Sequence, residues 1–119
     1  MEKILIIEDN QQNMYLMDFL LKQNGYEILQ AWNGTEGIAM AIDMKPSLIL
    51  LDIQLPGMDG YSVAEELKNT PDVADIPIVA VTSYAMAGDK ERTIKAGCTG
   101  YFEKPINPET FVSEIKKFL

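Results

Sequence analysis

The clearest pattern in the chain is a set of three short segments that are apolar at nearly every position. They lie at 3–7, 48–51 and 78–81, and polar residues do not alternate with the aliphatic ones. Strands of this kind are buried on both faces, as in a parallel sheet between two layers of helices. Two weaker strands are predicted at 27–31 and within 97–102. The pattern therefore predicts a sheet of five strands.

The segments between the strands carry helical signals. The predicted helices cover 11–24, 33 to the residue before Pro46, 59–69, 86–96 and 107–119. Gly25 is placed to end the first helix, Asn33 with Glu36 forms a capping box, and Asn107 before Pro108 marks the start of the last helix. Five strands alternating with five helices predict a three-layer α/β fold with right-handed crossovers.

Composition and charge narrow the class of protein. The chain has 119 residues, 47% of them hydrophobic, which fits one globular domain spanning 1–119. Its net charge of −8 argues against nucleic acid as a direct partner, because phosphate binding needs a basic face. One cysteine, Cys98, and no histidine exclude an internal disulfide and argue against zinc. With no membrane span and no signal peptide in the pattern, we expect a cytoplasmic protein.

The carboxyl ends of the predicted strands carry the residues with chemical potential. Glu8 and Asp9 follow the first strand, Asp52 ends the central one, Thr82 follows the fourth strand, and Lys104 follows the last strand. Parallel strands bring their carboxyl ends to one edge of the sheet, where open α/β sheets bind ligands. Three carboxylates repel one another unless a cation joins them, and Mg²⁺ prefers oxygen ligands. Acids, a hydroxyl, an amine and a metal together indicate phosphoryl transfer onto a carboxylate.

These residues also identify a family. The pair Glu8–Asp9, together with Asp52, Thr82 and Lys104–Pro105, resembles the receiver domain of two-component response regulators. The turn at 56–60, with its proline, two glycines and an aspartate, matches as well, and the resemblance covers the whole chain. It implies the flavodoxin-like strand order 2-1-3-4-5. It also implies a cis peptide bond before Pro105.

The resemblance implies a role for each acidic residue. Asp52 is the nucleophile that takes a phosphoryl group from a phosphohistidine on a histidine kinase or a phosphotransfer protein. Asp9 and Asp52 bind Mg²⁺ directly, the backbone carbonyl of Gln54 completes the protein ligands, and Glu8 acts through water. Such a domain catalyses its own phosphorylation and dephosphorylation, so it is not a conventional turnover enzyme.

The remaining roles concern the signal that follows. Lys104 pairs with a phosphoryl oxygen, and Thr82 hydrogen-bonds another. The family's switch then runs through Thr82, which turns toward the phosphate while Tyr101 moves from outward to inward. Downstream proteins read the face made by the fourth helix, fifth strand and fifth helix. Gln54 and Tyr84 are the positions that tune the lifetime of the phosphorylated state.

Three alternatives stay open at this point. The chain can be a receiver domain cut from a hybrid histidine kinase or a larger response regulator. A small-molecule, Mg²⁺-dependent aspartyl-phosphate phosphatase would need a second acid shortly after the nucleophile, and Gln54 stands there instead. A degenerate interaction module that needs no phosphorylation is disfavoured by the presence of Asp9, Asp52 and Lys104.

Overall fold

Five parallel strands form one sheet in the computed structural model, which describes residues 2–83 and 88–119. The strands are β1 (Lys3–Ile7), β2 (Glu27–Ala31), β3 (Leu48–Asp52), β4 (Ile78–Thr82) and β5 (Gly100–Glu103). Their order in the sheet is β2-β1-β3-β4-β5, so the predicted flavodoxin-like order is confirmed. The two strands with weak patterns are the edge strands β2 and β5, which are less buried than the other three.

The described residues form five helices, and the first three of them start at side-chain caps that the sequence encodes. The helices are α1 (Gln11–Gln23), α2 (Gly34–Met44), α3 (Gly60–Lys68), α4 (Asp89–Lys95) and α5 (Phe111–Lys116). Asn10, Asn33 and Asp59 each accept a hydrogen bond from the backbone N–H three residues further on. Gly25 follows α1 with φ of +90°, the left-handed conformation that glycine adopts without strain. Within the described ranges, no helix has the length and apolarity needed to cross a membrane.

Two helix starts differ from the prediction. The last helix begins at Phe111 and not directly after its predicted cap, Asn107, because residues 108–110 form a turn first. Asn107 caps that turn: its Oδ1 accepts from Glu109 N at 3.0 Å, and its carbonyl accepts from Phe111 N at 2.9 Å. The predicted start of the fourth helix at Met86 lies outside the described residues. The described helix begins at Asp89, after Gly88 with φ of +92°.

Alternate strand residues face two separate hydrophobic layers. On one face, Leu5 and Ile7 of β1 pack in the cluster that contains residues of α2 and α3. On the other face, Ile4 and Ile6 pack in the cluster with residues of α1 and α5. The central strands are therefore covered on both sides, which explains their unbroken apolar sequences. In these central strands, polar side chains occur only at a first or last position, namely Lys3, Asp52 and Thr82.

Candidate functional site

The structure brings the acidic residues at the ends of β1 and β3 into one cluster. Asp52 is the last residue of β3, and Glu8 and Asp9 follow the last residue of the neighbouring strand β1. Each offers a carboxylate oxygen, and these three oxygens lie within 4.8 Å of one another. Glu8 is fully buried and Asp52 is 4% exposed, whereas Asp9 is open to solvent. Solvent and solutes therefore reach the cluster from the side of Asp9.

Lys104 supplies the positive charge that this cluster needs. Its Nζ lies 2.7 Å from Glu8 Oε1 and 3.5 Å from Asp52 Oδ2, with only 9% of the side chain exposed. The Lys104 backbone N–H donates to the Thr82 carbonyl at 2.7 Å, which fixes the residue beyond the end of β5. The following Lys104–Pro105 bond is cis, as the resemblance implies. One amine therefore bridges two buried carboxylates from different strands.

Burial makes Glu8 an unusual carboxylate. Desolvation, together with the hydrogen bond and the negative charge of Asp52, raises the pKa of Glu8 from 4.5 to about 7. Lys104 and the N–H of Asn10 act in the opposite direction, and Asn10 N donates to Glu8 Oε2 at 3.1 Å. Although Oε1 lies close to Lys104 Nζ, no described group donates a well-angled hydrogen bond to it. The charged form of Glu8 therefore lacks full compensation from the protein.

This arrangement fits a hard divalent cation. All the clustered side-chain donors are carboxylate oxygens, which are the ligands that Mg²⁺ and Ca²⁺ prefer. The buried Oε1 of Glu8 has an acceptor capacity that the described part of the protein does not use. A cation would also remove the repulsion among the carboxylates. The acidic cluster could therefore bind a metal ion.

The loop after β3 is fastened to Asp52. The Gln54 backbone N–H donates to Asp52 Oδ1 at 3.0 Å, so this carboxylate oxygen has a fixed direction. The loop then turns into α3, where Gly60 N donates to the Ile53 carbonyl at 2.9 Å. A Cβ on Gly60 would lie 2.7 Å from the Asp52 carbonyl oxygen, so only glycine permits this approach. The glycine at this position thus lets α3 pack directly under the acidic cluster.

Thr82 lies at the same edge of the sheet, one strand further along. It ends β4, is almost fully buried, and lines a cleft of about 430 Å³ together with Gln54, Tyr61 and Arg92. The Gln54 side chain closes part of that edge, because its Oε1 accepts from Ser83 N at 3.1 Å. The hydroxyl predicted from the sequence is therefore next to the loop that holds Asp52.

The two remaining sequence-predicted residues are placed differently. Tyr101 is half-buried in β5 and packs against the hydrophobic cluster that contains α3 residues. Burial, and then the negative charges of Glu103 and Asp89, raise the pKa of its hydroxyl. Tyr84, which the resemblance assigns to lifetime tuning, lies outside the described residues. Its role stays a prediction.

Sequence reasoning missed a contact on the far side of the cleft. The Arg92 guanidinium of α4 lies 3.9 Å from the centre of the Tyr61 ring of α3, a cation–π contact that joins the two helices. Burial, and next the charge of Asp89, raise the pKa of Tyr61, while Arg92 lowers it. The spacing of these residues along the chain contains no signal for this contact, because it depends on how the two helices lie on the sheet.

Comparison with known proteins identifies this arrangement. The sequence pattern of the response regulator receiver domain matches residues 4–116. The chain belongs to the receiver domain family. This receiver domain is 42% identical over 118 residues to the polar-differentiation response regulator DivK of Brucella anthropi, covering 99% of this chain and 96% of that protein.

Solved structures agree with the sequence comparison. The receiver domain is similar to the chemotaxis protein CheY4 of Vibrio cholerae, with a TM-score of 0.94, 27% identity, and coverage of 100% of this chain and 99% of that one. It is also similar to the receiver domain of the sensor histidine kinase PA1611 of Pseudomonas aeruginosa, with a TM-score of 0.90, 29% identity, and coverage of 98% and 96%. That structure holds a magnesium ion in its active-site cleft. The chain is thus a receiver domain of two-component signalling.

Proposed function

We propose that this receiver domain accepts a phosphoryl group on Asp52. The observation that carries the proposal is the surroundings of that carboxylate. Asp52 lies within 4.8 Å of two other carboxylates, and 3.5 Å from the Lys104 amine. The negative cluster can hold a cation, and the amine can pair with an incoming phosphoryl oxygen. Both features would stabilise the negative charge that builds up during phosphoryl transfer.

In the proposed reaction, an oxygen of the Asp52 carboxylate attacks the phosphorus of a phosphohistidine. The new P–O bond forms as the P–N bond breaks, and the electron pair of that bond returns to the imidazole nitrogen of the donor. Lys104 would neutralise an equatorial oxygen of the transferred group, and the Thr82 hydroxyl would donate a hydrogen bond to another of its oxygens. The hydrogen bond from Gln54 N to Asp52 Oδ1 leaves Oδ2 as the oxygen nearer to Lys104. We therefore assign the attack to Oδ2.

Magnesium is the cation we propose for the acidic cluster. Asp9 and Asp52 would ligate it directly, with the backbone carbonyl of Gln54, and Glu8 would contact it through water. The 2.7 Å ion pair with Lys104 occupies one side of Glu8 Oε1, and the unused acceptor capacity of that oxygen suits a hydrogen bond from a metal-bound water, which favours this indirect role. The magnesium in the PA1611 receiver domain supports the choice of metal. When bound, the ion would neutralise developing negative charge on the transferred group.

We further propose the route by which the signal leaves the site. Thr82 would turn toward the phosphate and Tyr101 would move inward, changing the face formed by α4, β5 and α5. The half-buried position of Tyr101 is compatible with movement in either direction. The donor would be a histidine kinase or a phosphotransfer protein, and the reader a downstream protein. The net charge of −8 favours protein partners over nucleic acid.

We treat 1–119 as one receiver domain of the cytoplasm, where a free, buried cysteine such as Cys98 stays reduced. Its similarity both to the response regulator DivK and to the receiver domain of a sensor histidine kinase supports two settings. In one it acts as a separate regulator, and in the other it is part of a hybrid kinase.

Mass spectrometry tests the proposed function. The chain is incubated with Mg²⁺ and a small phosphodonor such as an acyl phosphate or a phosphoramidate, and its mass is measured before and after. We expect one added phosphoryl group, located on the peptide that contains Asp52, and none when a chelator removes Mg²⁺. A chain that gains no phosphoryl group under any of these conditions would favour the phosphorylation-independent interaction module.

The stabilisation of the protein by Mg²⁺ should depend on pH. In the metal-free protein, the pKa of Glu8 is raised from 4.5 to about 7, so its contribution to stability is full below pH 4.5 and is lost as pH rises through about 7. A cation needs the charged carboxylate and competes with its proton. We therefore expect an apparent Mg²⁺ affinity up to about tenfold higher at about pH 8 than at about pH 6.

Thermal unfolding with and without Mg²⁺ measures this effect at the two pH values. Glu8→Gln is the control, because the amide has the same shape and does not titrate in this range. It should flatten the pH dependence of the Mg²⁺ effect. An equal Mg²⁺-induced rise in the unfolding midpoint of the unmodified chain at both pH values contradicts the prediction.

A further inference from the structure

The side chain of Gln54 connects the residues that follow β3 and β4. Its amide oxygen accepts a hydrogen bond from the Ser83 backbone N–H at 3.1 Å, across 29 positions of the sequence. The backbone N–H of the same residue donates to Asp52 Oδ1 at 3.0 Å. Gln54 is thus held at one end by the proposed phosphoacceptor and at the other by the residue after Thr82.

We propose that the Gln54–Ser83 hydrogen bond holds the end of β4 in its unphosphorylated position and opposes phosphorylation of Asp52 until it breaks. The proposal rests on the proposed function, since it concerns regulation of the same site. Gln54 is a positioning residue in this account. Its side chain acts on the transferred group only through the N–H of Ser83.

The reason that the bond should break is a competition for one donor. A backbone N–H makes one strong hydrogen bond, and here the neutral amide oxygen of Gln54 is its acceptor. β3 and β4 are neighbours, with Asp52 opposite Val81 in register, so Ser83 follows the strand end beside Asp52. A phosphoryl group on Asp52 brings three charged acceptor oxygens to this edge. Hydrogen bonds to charged acceptors are about twice as strong as those to neutral ones.

Phosphorylation would also affect the second contact of Gln54, which its backbone N–H makes. Gln54 N donates to Asp52 Oδ1, and phosphorylation of the carboxylate changes the charge on that acceptor. Both anchors of Gln54 are therefore altered by one event at Asp52. Release of the side chain would free the N–H of Ser83, the residue that follows Thr82 at the end of β4. Gln54 in this way links the state of Asp52 to the residue that follows β4.

Gln54→Met is the variant that tests this proposal. Methionine has nearly the same length and retains the backbone N–H to Asp52, but it cannot accept the Ser83 hydrogen bond. By NMR of the full chain, we expect faster hydrogen exchange at the Ser83 amide in the metal-free protein. We also expect an affinity for beryllium trifluoride, a phosphoryl analogue, that is about three- to tenfold higher in the presence of Mg²⁺.

The controls separate this effect from a loss of structure. Gln23→Met makes the same chemical change on the exposed last residue of α1 and should alter neither measurement. A merely structural role for Gln54 predicts lower analogue affinity, which is the opposite sign. Gln54→Asn, which is too short to reach Ser83, should reproduce Gln54→Met if the lost hydrogen bond is the cause.

Three results would overturn the proposal in different ways. Equal hydrogen-exchange rates of the Ser83 amide in the unmodified chain and in Gln54→Met show that the hydrogen bond does not hold the end of β4. Faster exchange with unchanged or lower analogue affinity shows that the bond does not oppose phosphorylation. In the third result, the Ser83 amide is protected from exchange, but the unmodified chain neither gains a phosphoryl group nor binds the analogue. The proposed function then fails, and the proposed release of Gln54 from Ser83 fails with it.

Discussion

Asp52→Asn should abolish phosphorylation without unfolding the protein. The asparagine amide oxygen is not a nucleophile, and Glu8, the other carboxylate paired with the Lys104 amine among the described residues, is fully buried and so closed to a donor. We expect no mass gain with Mg²⁺ and a small phosphodonor, against one phosphoryl group for the unmodified chain. Because the negative charge of Asp52 contributes to the raised pKa of Glu8, its removal should leave the unfolding midpoint equal or higher.

Asp59→Asn is the matched control for this experiment. It makes the same change seven positions along the chain, at the cap of α3, where Asp59 accepts a hydrogen bond from Ser62 N. Asparagine caps helices about as well as aspartate, so stability should change little. Asp59→Asn should still gain the phosphoryl group. If Asp52→Asn is still phosphorylated, or if Asp59→Asn is not, the assignment of Asp52 as the phosphoacceptor is wrong.

The sheet was predictable because burial leaves a direct mark on sequence. β1, β3 and β4 are covered on both faces, so nearly every position must be apolar, and the three runs mark them plainly. The strand order does not follow from these runs. It came from the resemblance to receiver domains, which the structure then confirmed. The edge strands have a weaker pattern because part of each is exposed to solvent.

The clustering of the acidic residues was predictable from the sequence, but the energetics of the cluster was not. Parallel strands send their carboxyl ends to one edge, and the strand order that the resemblance implies places β1 beside β3, which brings Asp52, Glu8 and Asp9 together. The full burial of Glu8 and its pairing with Lys104 at 2.7 Å depend on side-chain placement, which residue spacing does not encode. The Gln54–Ser83 bond depends in the same way on how two loops meet.

Gly60→Ala should be the most damaging small substitution near the site. Propensity alone predicts a gain of up to about 1 kcal/mol, because alanine is the better helix former. Contact predicts the opposite, since the new Cβ would lie 2.5 Å from Ile53 Cα and 2.7 Å from the Asp52 carbonyl oxygen. These are backbone atoms that cannot move aside without moving β3. We expect a net loss of about 2–3 kcal/mol in the free energy of unfolding, measured by urea denaturation.

The position of α3 should matter for phosphorylation as well as for stability. Gly25→Ala provides the comparison, because Gly25 has φ of +90° but no atoms within 4 Å of an added Cβ. Backbone strain there should cost about 1–2 kcal/mol and leave the rate of phosphorylation unchanged. Gly60→Ala should slow phosphorylation even where the protein is fully folded, because relief of the contact between the new Cβ and the backbone moves Asp52 relative to Lys104. If the two variants lose stability but phosphorylate equally fast, the close approach of α3 serves packing alone.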